Sequence, residues 1–92
     1  MFVVISYDIE DDRRRTKVRQ TLRDYGKWVQ FSVFECNLPR PQFERLRHQL
    51  ASLICMDRQD SIRFYFLCEN CQGKIARLGC PEPQEPDSLL VV

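Results

Sequence analysis

Nowhere in this chain does an apolar run approach the length that a membrane-spanning helix requires. The opening Met1-Phe2-Val3-Val4-Ile5-Ser6 also has neither the basic stretch nor the long apolar core of an export signal. The expectation is a cytoplasmic protein with no membrane partner. An excess of charge of one sign is missing too. A formal net charge of +1 excludes a uniformly basic coat, so any grip on phosphate must come from local clusters of arginine and lysine. Histidine is nearly absent. His48 falls opposite Leu46 and Leu50 on its helix and reads as solvent-facing, and no serine or cysteine motif accompanies it, so histidine-based nucleophilic catalysis has no support. Five cysteines is an odd number without an export signal, which argues for reduced thiols over a disulfide framework. Cys68 and Cys71 form one C-x-x-C with Cys80 nearby, but a structural zinc site wants four ligands and a second pair is missing. Plain thiols are the simpler reading.

What is present is enough for a packed core. A hydrophobic fraction of 43% and an aromatic fraction of 11% place the 92 residues among globular single domains. A chain this short buries a smaller share of its surface than a larger one, and a dimer would supply the missing burial. Residues 2–9 are β-branched and aromatic without helical spacing and read as a buried strand. Asp11 or Asp12 can cap a helix in which Val18, Leu22 and Tyr25 recur at helical spacing before Gly26 stops it. Residues 27–36 read by pattern as one strand, closed by Asn37-Leu38-Pro39-Arg40-Pro41. Pro41 suits the first turn of a second helix whose apolar stripe is Phe43, Leu46, Leu50, Leu53 and Ile54. Residues 61–68 form a third strand and 74–78 a short candidate strand. The body is therefore expected over 1–80. A proline-rich connector and a terminal β-prone run, Leu89-Leu90-Val91-Val92, fill 81–92. Strand, helix, strand, helix, strand with short links is the order of an α+β split βαβ sandwich, with both helices on one face of an antiparallel sheet.

Alternation sets Val3, Ile5, Tyr7 and Ile9 on one side of the first strand, and Val4, Ser6 and Asp8 on the other. In the third strand it separates Ile62, Phe64 and Phe66 from Arg63, Tyr65 and Leu67. Whether Asp8 and Arg63 share a face depends on register, which pattern does not supply. Asp8 is a candidate hard-oxygen ligand for Mg²⁺ or Mn²⁺, with the metal activating water against a phosphodiester, and is thereby the candidate catalytic residue. The plain alternative is an aspartate that only caps a turn. One carboxylate is a poor cage, so the metal reading predicts a twofold dimer presenting two copies of Asp8. The first helix carries Arg13, Arg14, Arg15, Lys17, Arg19 and Arg23, with Arg15, Arg19 and Arg23 on one stripe. Phosphate contact and a merely solvated face balanced by Asp11, Asp12 and Asp24 both remain open. Arginine-rich contacts of this kind would be largely independent of base sequence.

Tyr7-Asp8-Ile9 with Asp11-Asp12, then Arg15-x-Lys17-Val18, Leu22 and Tyr25-Gly26, then the run from Val29 through Gln30, Phe31, Ser32, Val33, Phe34 and Glu35 to Cys36, form one ordered set. Asp60-Ser61-Ile62-Arg63 with Tyr65, Cys68, and the segment from Gly73-Lys74-Ile75 to Leu78-Gly79 extend it over most of the chain. Together they resemble the small CRISPR-associated adaptation family, the second of the numbered Cas proteins. The resemblance implies a ferredoxin-like βαββαβ protomer with an extra C-terminal strand exchanged in a homodimer, Asp8 facing its twin across the interface. It also implies that residues 27–36 bend into a hairpin near Phe31-Ser32, against the one-strand reading. Arg15, Lys17, Ser32 and Phe34 fall on positions similar to the family's substrate-handling residues. Two functions follow from it. One is a Mg²⁺-dependent endonuclease acting on RNA or DNA in spacer acquisition. The other is a non-catalytic dimer that bridges copies of the CRISPR integrase and holds double-stranded prespacer DNA. A ferredoxin-like RNA-binding module ranks last, because Trp28, Phe31 and Tyr65 lack the spacing of a stacking platform.

Overall fold

The computed structural model describes residues 1–79. The expected connector and terminal strand over 81–92, and Cys80, lie outside the described residues. The elements run β1 (Phe2–Asp8), α1 (Asp12–Arg23), β2 (Lys27–Gln30), β3 (Val33–Asn37), α2 (Arg40–Leu53), β4 (Ser61–Leu67) and α3 (Glu69–Gln72), with a 3-10 turn at Met56–Arg58. The four strands form one antiparallel sheet in the order β2-β3-β1-β4. With α1 and α2 this is the ferredoxin-like βαββαβ arrangement. No helix among the described residues is long and apolar enough to cross a membrane.

Local chemistry explains the boundaries. The Asp11 carboxylate accepts the Arg14 N–H at 2.8 Å and so caps α1, while Val18 and Leu22 supply its buried stripe. Gly26 was expected to act as a helix stop, but its importance lies elsewhere. A side chain there would stand 2.6 Å from the Glu35 carbonyl oxygen and against the Cys36 sulfur, so Gly26 lets β3 pass close to the end of α1. Pro41 lies in the first turn of α2, whose Phe43, Leu46 and Leu50 face inward. Val3, Ile5, Phe34, Val18, Leu22 and Leu46 are fully buried between the sheet and the two helices.

Three expectations are corrected. Residues 27–36 are two strands, because the chain reverses at Phe31-Ser32 with Ser32 in the left-handed region at φ 63°. Serine is tolerated there without the glycine or asparagine that would announce such a turn. Residues 74–78 hold no strand. The third strand, expected to reach Cys68, ends at Leu67, and Cys68 instead serves as the N-cap of α3.

Candidate functional site

Register decides which side chains meet. In the β1–β4 pairing Ser6 lies opposite Arg63 and Asp8 opposite Ser61. Directly opposed residues share a face, so Asp8, Ser6, Ser61 and Arg63 stand together on the side of the sheet away from α1 and α2. Asp8 itself is exposed at the end of β1, and its carboxylate has no hydrogen bond or ion pair with another described residue. Ser6, Tyr7, Asp8, Ser61, Arg63 and Tyr65 line an open concavity of about 220 Å³. Arg63 donates to the Tyr65 hydroxyl at 3.4 Å, which keeps a cation on the rim of this concavity and raises the guanidinium's already high affinity for its proton.

A second concavity adjoins the first through Tyr7. Its walls are Tyr7, Arg15, Arg19, Trp28, Phe31 and Ser32. The Tyr7 N–H donates to the Ser32 carbonyl at 3.0 Å, tying the β2–β3 turn to β1 one residue before Asp8. The Arg15 guanidinium donates to the carbonyls of Ile9 at 2.9 Å and Glu10 at 3.2 Å and pairs with Asp12, so it is held over the turn that follows Asp8. Phe31, at the turn, is 77% exposed.

This arrangement has close counterparts. The family model for CRISPR associated protein Cas2 matches residues 1–75. The chain is 44% identical over 93 residues to CRISPR-associated endoribonuclease Cas2 1 of Chloroflexus aurantiacus, with both chains covered in full. It is 39% identical over 98 residues to CRISPR-associated endoribonuclease Cas2 of Chlorobaculum tepidum, again with both covered in full. Among solved structures, Streptococcus pyogenes Cas2 superposes with a TM-score of 0.73 at 37% identity, covering 86% of this chain and 100% of that one. A hypothetical protein of Thermus thermophilus gives 0.77 at 37% identity, covering 90% and 96% respectively. The chain belongs to the Cas2 family.

Within this Cas2 fold the expected site residues separate into those left open and those the fold uses. Asp8, Arg13 and Lys17 are exposed. The Lys17 ammonium has no partner among the described residues. Arg15, Arg19 and Ser32 line the second concavity. Two of the expected nucleic-acid-binding residues are engaged by the fold in this protomer. Phe34 has no exposed surface and packs against Tyr7 with ring centroids 6.4 Å apart. It is part of the core. Arg14 donates from Nε and Nη2 to the two oxygens of Asp60 at 2.7 and 3.2 Å, a fork-on-carboxylate pair with the Asp60 side chain fully covered. The Arg14 hydrogen bond, and then the Cys55 N–H, hold the Asp60 carboxyl below the usual carboxylate range. A sequence signal for Arg14 existed: Arg14, Val18 and Leu22 follow at intervals of four, so Arg14 extends the buried stripe, whereas Arg15, Arg19 and Arg23 form the stripe beside it.

Ser61 and Tyr65 were missed as neighbours of Asp8, because only the pairing of β1 with β4 brings them there. No group of three or more His, Cys, Asp or Glu able to hold a metal ion occurs among the described residues. Asp8 still fits a hard cation, since Mg²⁺ accepts one or two carboxylates and completes its shell with waters and substrate phosphates.

Proposed function

We propose that this Cas2 chain is a metal-dependent endonuclease that acts on RNA as a homodimer and serves spacer acquisition in antiviral defence. The observation that carries the reading is the Asp8 carboxylate, open and unengaged by described residues, in a polar concavity with Ser6, Ser61 and Arg63. The relatives bear the name endoribonuclease, which supports RNA as the substrate. Asp8 would hold Mg²⁺ (or Mn²⁺), and when bound such an ion supplies activation of water and neutralisation of phosphate charge. A second copy of Asp8 across a twofold axis would complete the donor set. The chain's own residues do the positioning. Arg15 and Arg19 form a cationic wall beside the Asp8 turn for the phosphate backbone, with Arg13 and Lys17 adding exposed charge along α1. Ser6 and Ser61 offer hydroxyls beside Asp8 for orienting water or a sugar edge.

A second reading, which the family resemblance equally implies, rests on the exposed cations Arg13 and Lys17 of α1, suited to hold a nucleic-acid backbone without cutting it. In it the dimer is a scaffold that bridges subunits of the CRISPR integrase and holds prespacer DNA by backbone contacts, and Asp8 is structural. Cleavage of labelled single-stranded RNA and double-stranded DNA by wild type and Asp8→Asn, with Mg²⁺ and with EDTA, separates the two, with light scattering for mass. Cutting that needs both metal and Asp8 in a mutant that stays dimeric supports the nuclease. A dimer that binds DNA and assembles with integrase but never cuts supports the scaffold.

A further inference from the structure

Two sulfurs stand together on the surface at the end of β4, remote from Asp8 in the strand pairing, and the nuclease reading makes no use of them. Cys68 is the N-cap of α3, in extended backbone at φ −68° and ψ 167°, and Cys71 is three residues on, inside the helix. The Cys68 sulfur accepts the Cys71 N–H at 3.4 Å, so it is folded back over the first turn toward the second cysteine. Both residues are exposed. We propose that Cys68 and Cys71 form a thiol–disulfide exchange site that takes a low-molecular-weight disulfide as its oxidant.

The geometry carries the assignment. Residues three apart on a helical turn have Cβ atoms about 5–6 Å apart. A disulfide needs roughly 3.5–4.5 Å, so closure asks for a small local tightening of a four-residue helix. The extended backbone of Cys68 and the hydrogen bond from Cys71 already aim its sulfur that way. The two thiols are also differentiated. The Cys71 N–H, followed by the Cys71 thiol, lowers the pKa of Cys68, whereas the Cys71 thiol is held up by its hydrogen bond to the Cys68 sulfur and by the charge there. One is therefore suited to attack and the other to resolve.

The steps balance. The Cys68 thiolate attacks one sulfur of R–S–S–R, forming a mixed disulfide and expelling R–S⁻, which takes up a proton. Cys71, on losing its proton, attacks the Cys68 sulfur of that mixed disulfide and expels the second R–S⁻. Counted from the two thiols, the protein loses two protons and two electrons, and R–S–S–R is reduced to two R–SH. Closure would stiffen the link between β4 and the segment Ile75, Ala76 and Arg77, which borders β2 and β3 in a concavity with Lys27 and Glu35.

Cys36 supplies an internal reference: it is buried, and burial pushes its thiol up to about 11, so in the folded protein it should stay unreacted. The experiment treats the reduced full-length chain with oxidised glutathione, blocks remaining thiols by alkylation and maps the products by mass spectrometry. Wild type is expected to lose two hydrogens through a Cys68–Cys71 bridge with Cys36 free, and Cys71→Ser to stop at a glutathione adduct on Cys68. Wild type that stops at mixed disulfides, or that links either sulfur to Cys55, to Cys80 or to a second chain, overturns the proposal. None of these outcomes depends on Asp8 or on nuclease activity.

Discussion

On the helix side of the sheet Val3, Ile5 and Phe34 have no exposed surface, whereas on its other side Asp8, Arg63 and Tyr65, from the same or neighbouring strands, are open to solvent. The same division runs through the charges. Asp60 and Arg14 neutralise each other at the junction of α1 and β4, while Asp8, on the open side, has no side-chain partner among the described residues. Lys17, exposed on α1 itself, is an exception on the helix side, unpaired among the described residues. Concentrating packing and ion pairing on one side leaves the other side free to carry groups chosen for chemistry. The strongest test of this division is a pair of substitutions. Phe34→Ala removes a fully buried ring and should cost about 3–5 kcal/mol in urea unfolding. Asp8→Asn should leave the unfolding midpoint unchanged. Equal losses would mean that the open face is also part of the stabilising framework.

Gly26→Ala probes the boundary between the two regions at its tightest point. The added methyl meets the Glu35 carbonyl and the Cys36 sulfur, so β3 must move away from the end of α1. Overpacking of this kind costs about 1–3 kcal/mol. Because β3 is the partner of β1, the shift should also reach the turn held by the Tyr7 N–H to Ser32 hydrogen bond, and amide exchange at Tyr7 reports it.

How much of this was readable beforehand depended on whether the signal was local. Both main helices followed from apolar spacing, because Val18 with Leu22 and Phe43 with Leu46 and Leu50 repeat on one side, aided by an aspartate cap for α1 and by Pro41 in the first turn of α2. The separation of Ile62, Phe64 and Phe66 from Arg63, Tyr65 and Leu67 followed from alternation, and the pairing with β1 bears it out. The hairpin at Phe31-Ser32 was invisible to pattern and came from family resemblance, since Ser32 adopts a left-handed conformation that its side chain does not advertise. The meeting of Asp8 with Ser61, and of Arg14 with Asp60, depends on contacts between residues far apart in the chain. Such meetings are set by register and packing, and no local window contains them. Phe34 is a case where pattern and resemblance point to different roles. Resemblance placed it near substrate, although its alternation with Cys36 puts both on the buried side of β3.

Asp60→Asn tests whether the inner ion pair belongs to the stabilising side. Asp60 is held below the usual carboxylate range in the folded chain, so the unfolded chain binds the extra proton more readily as the medium is acidified. Its contribution is fully present above the ordinary carboxylate pKa and is lost as pH falls through the depressed folded value. Replacement by asparagine should therefore lower Tm at neutral pH and flatten the fall of Tm toward acid. Asp11, lowered chiefly by the Arg14 N–H it caps, leaves a residual slope. A variant whose Tm follows the wild-type acid limb in full would show that the pair contributes nothing to stability.

The smallest effect separates an open cation from an engaged one. Each phosphate neutralised by a protein cation releases counterions, so removing one true phosphate contact lowers the salt slope of binding by about one. Lys17→Ala should do this for RNA and for duplex DNA alike, because a point charge on phosphate reads no bases. Arg14→Gln should weaken the fold through Asp60 and yet leave the salt slope of the remaining folded protein unchanged, since its guanidinium is already occupied by a carboxylate. If Arg14→Gln flattens the slope as Lys17→Ala does, then Arg14 exchanges Asp60 for phosphate on binding. The line between residues used by the fold and residues left for substrate would then be one that nucleic acid itself redraws.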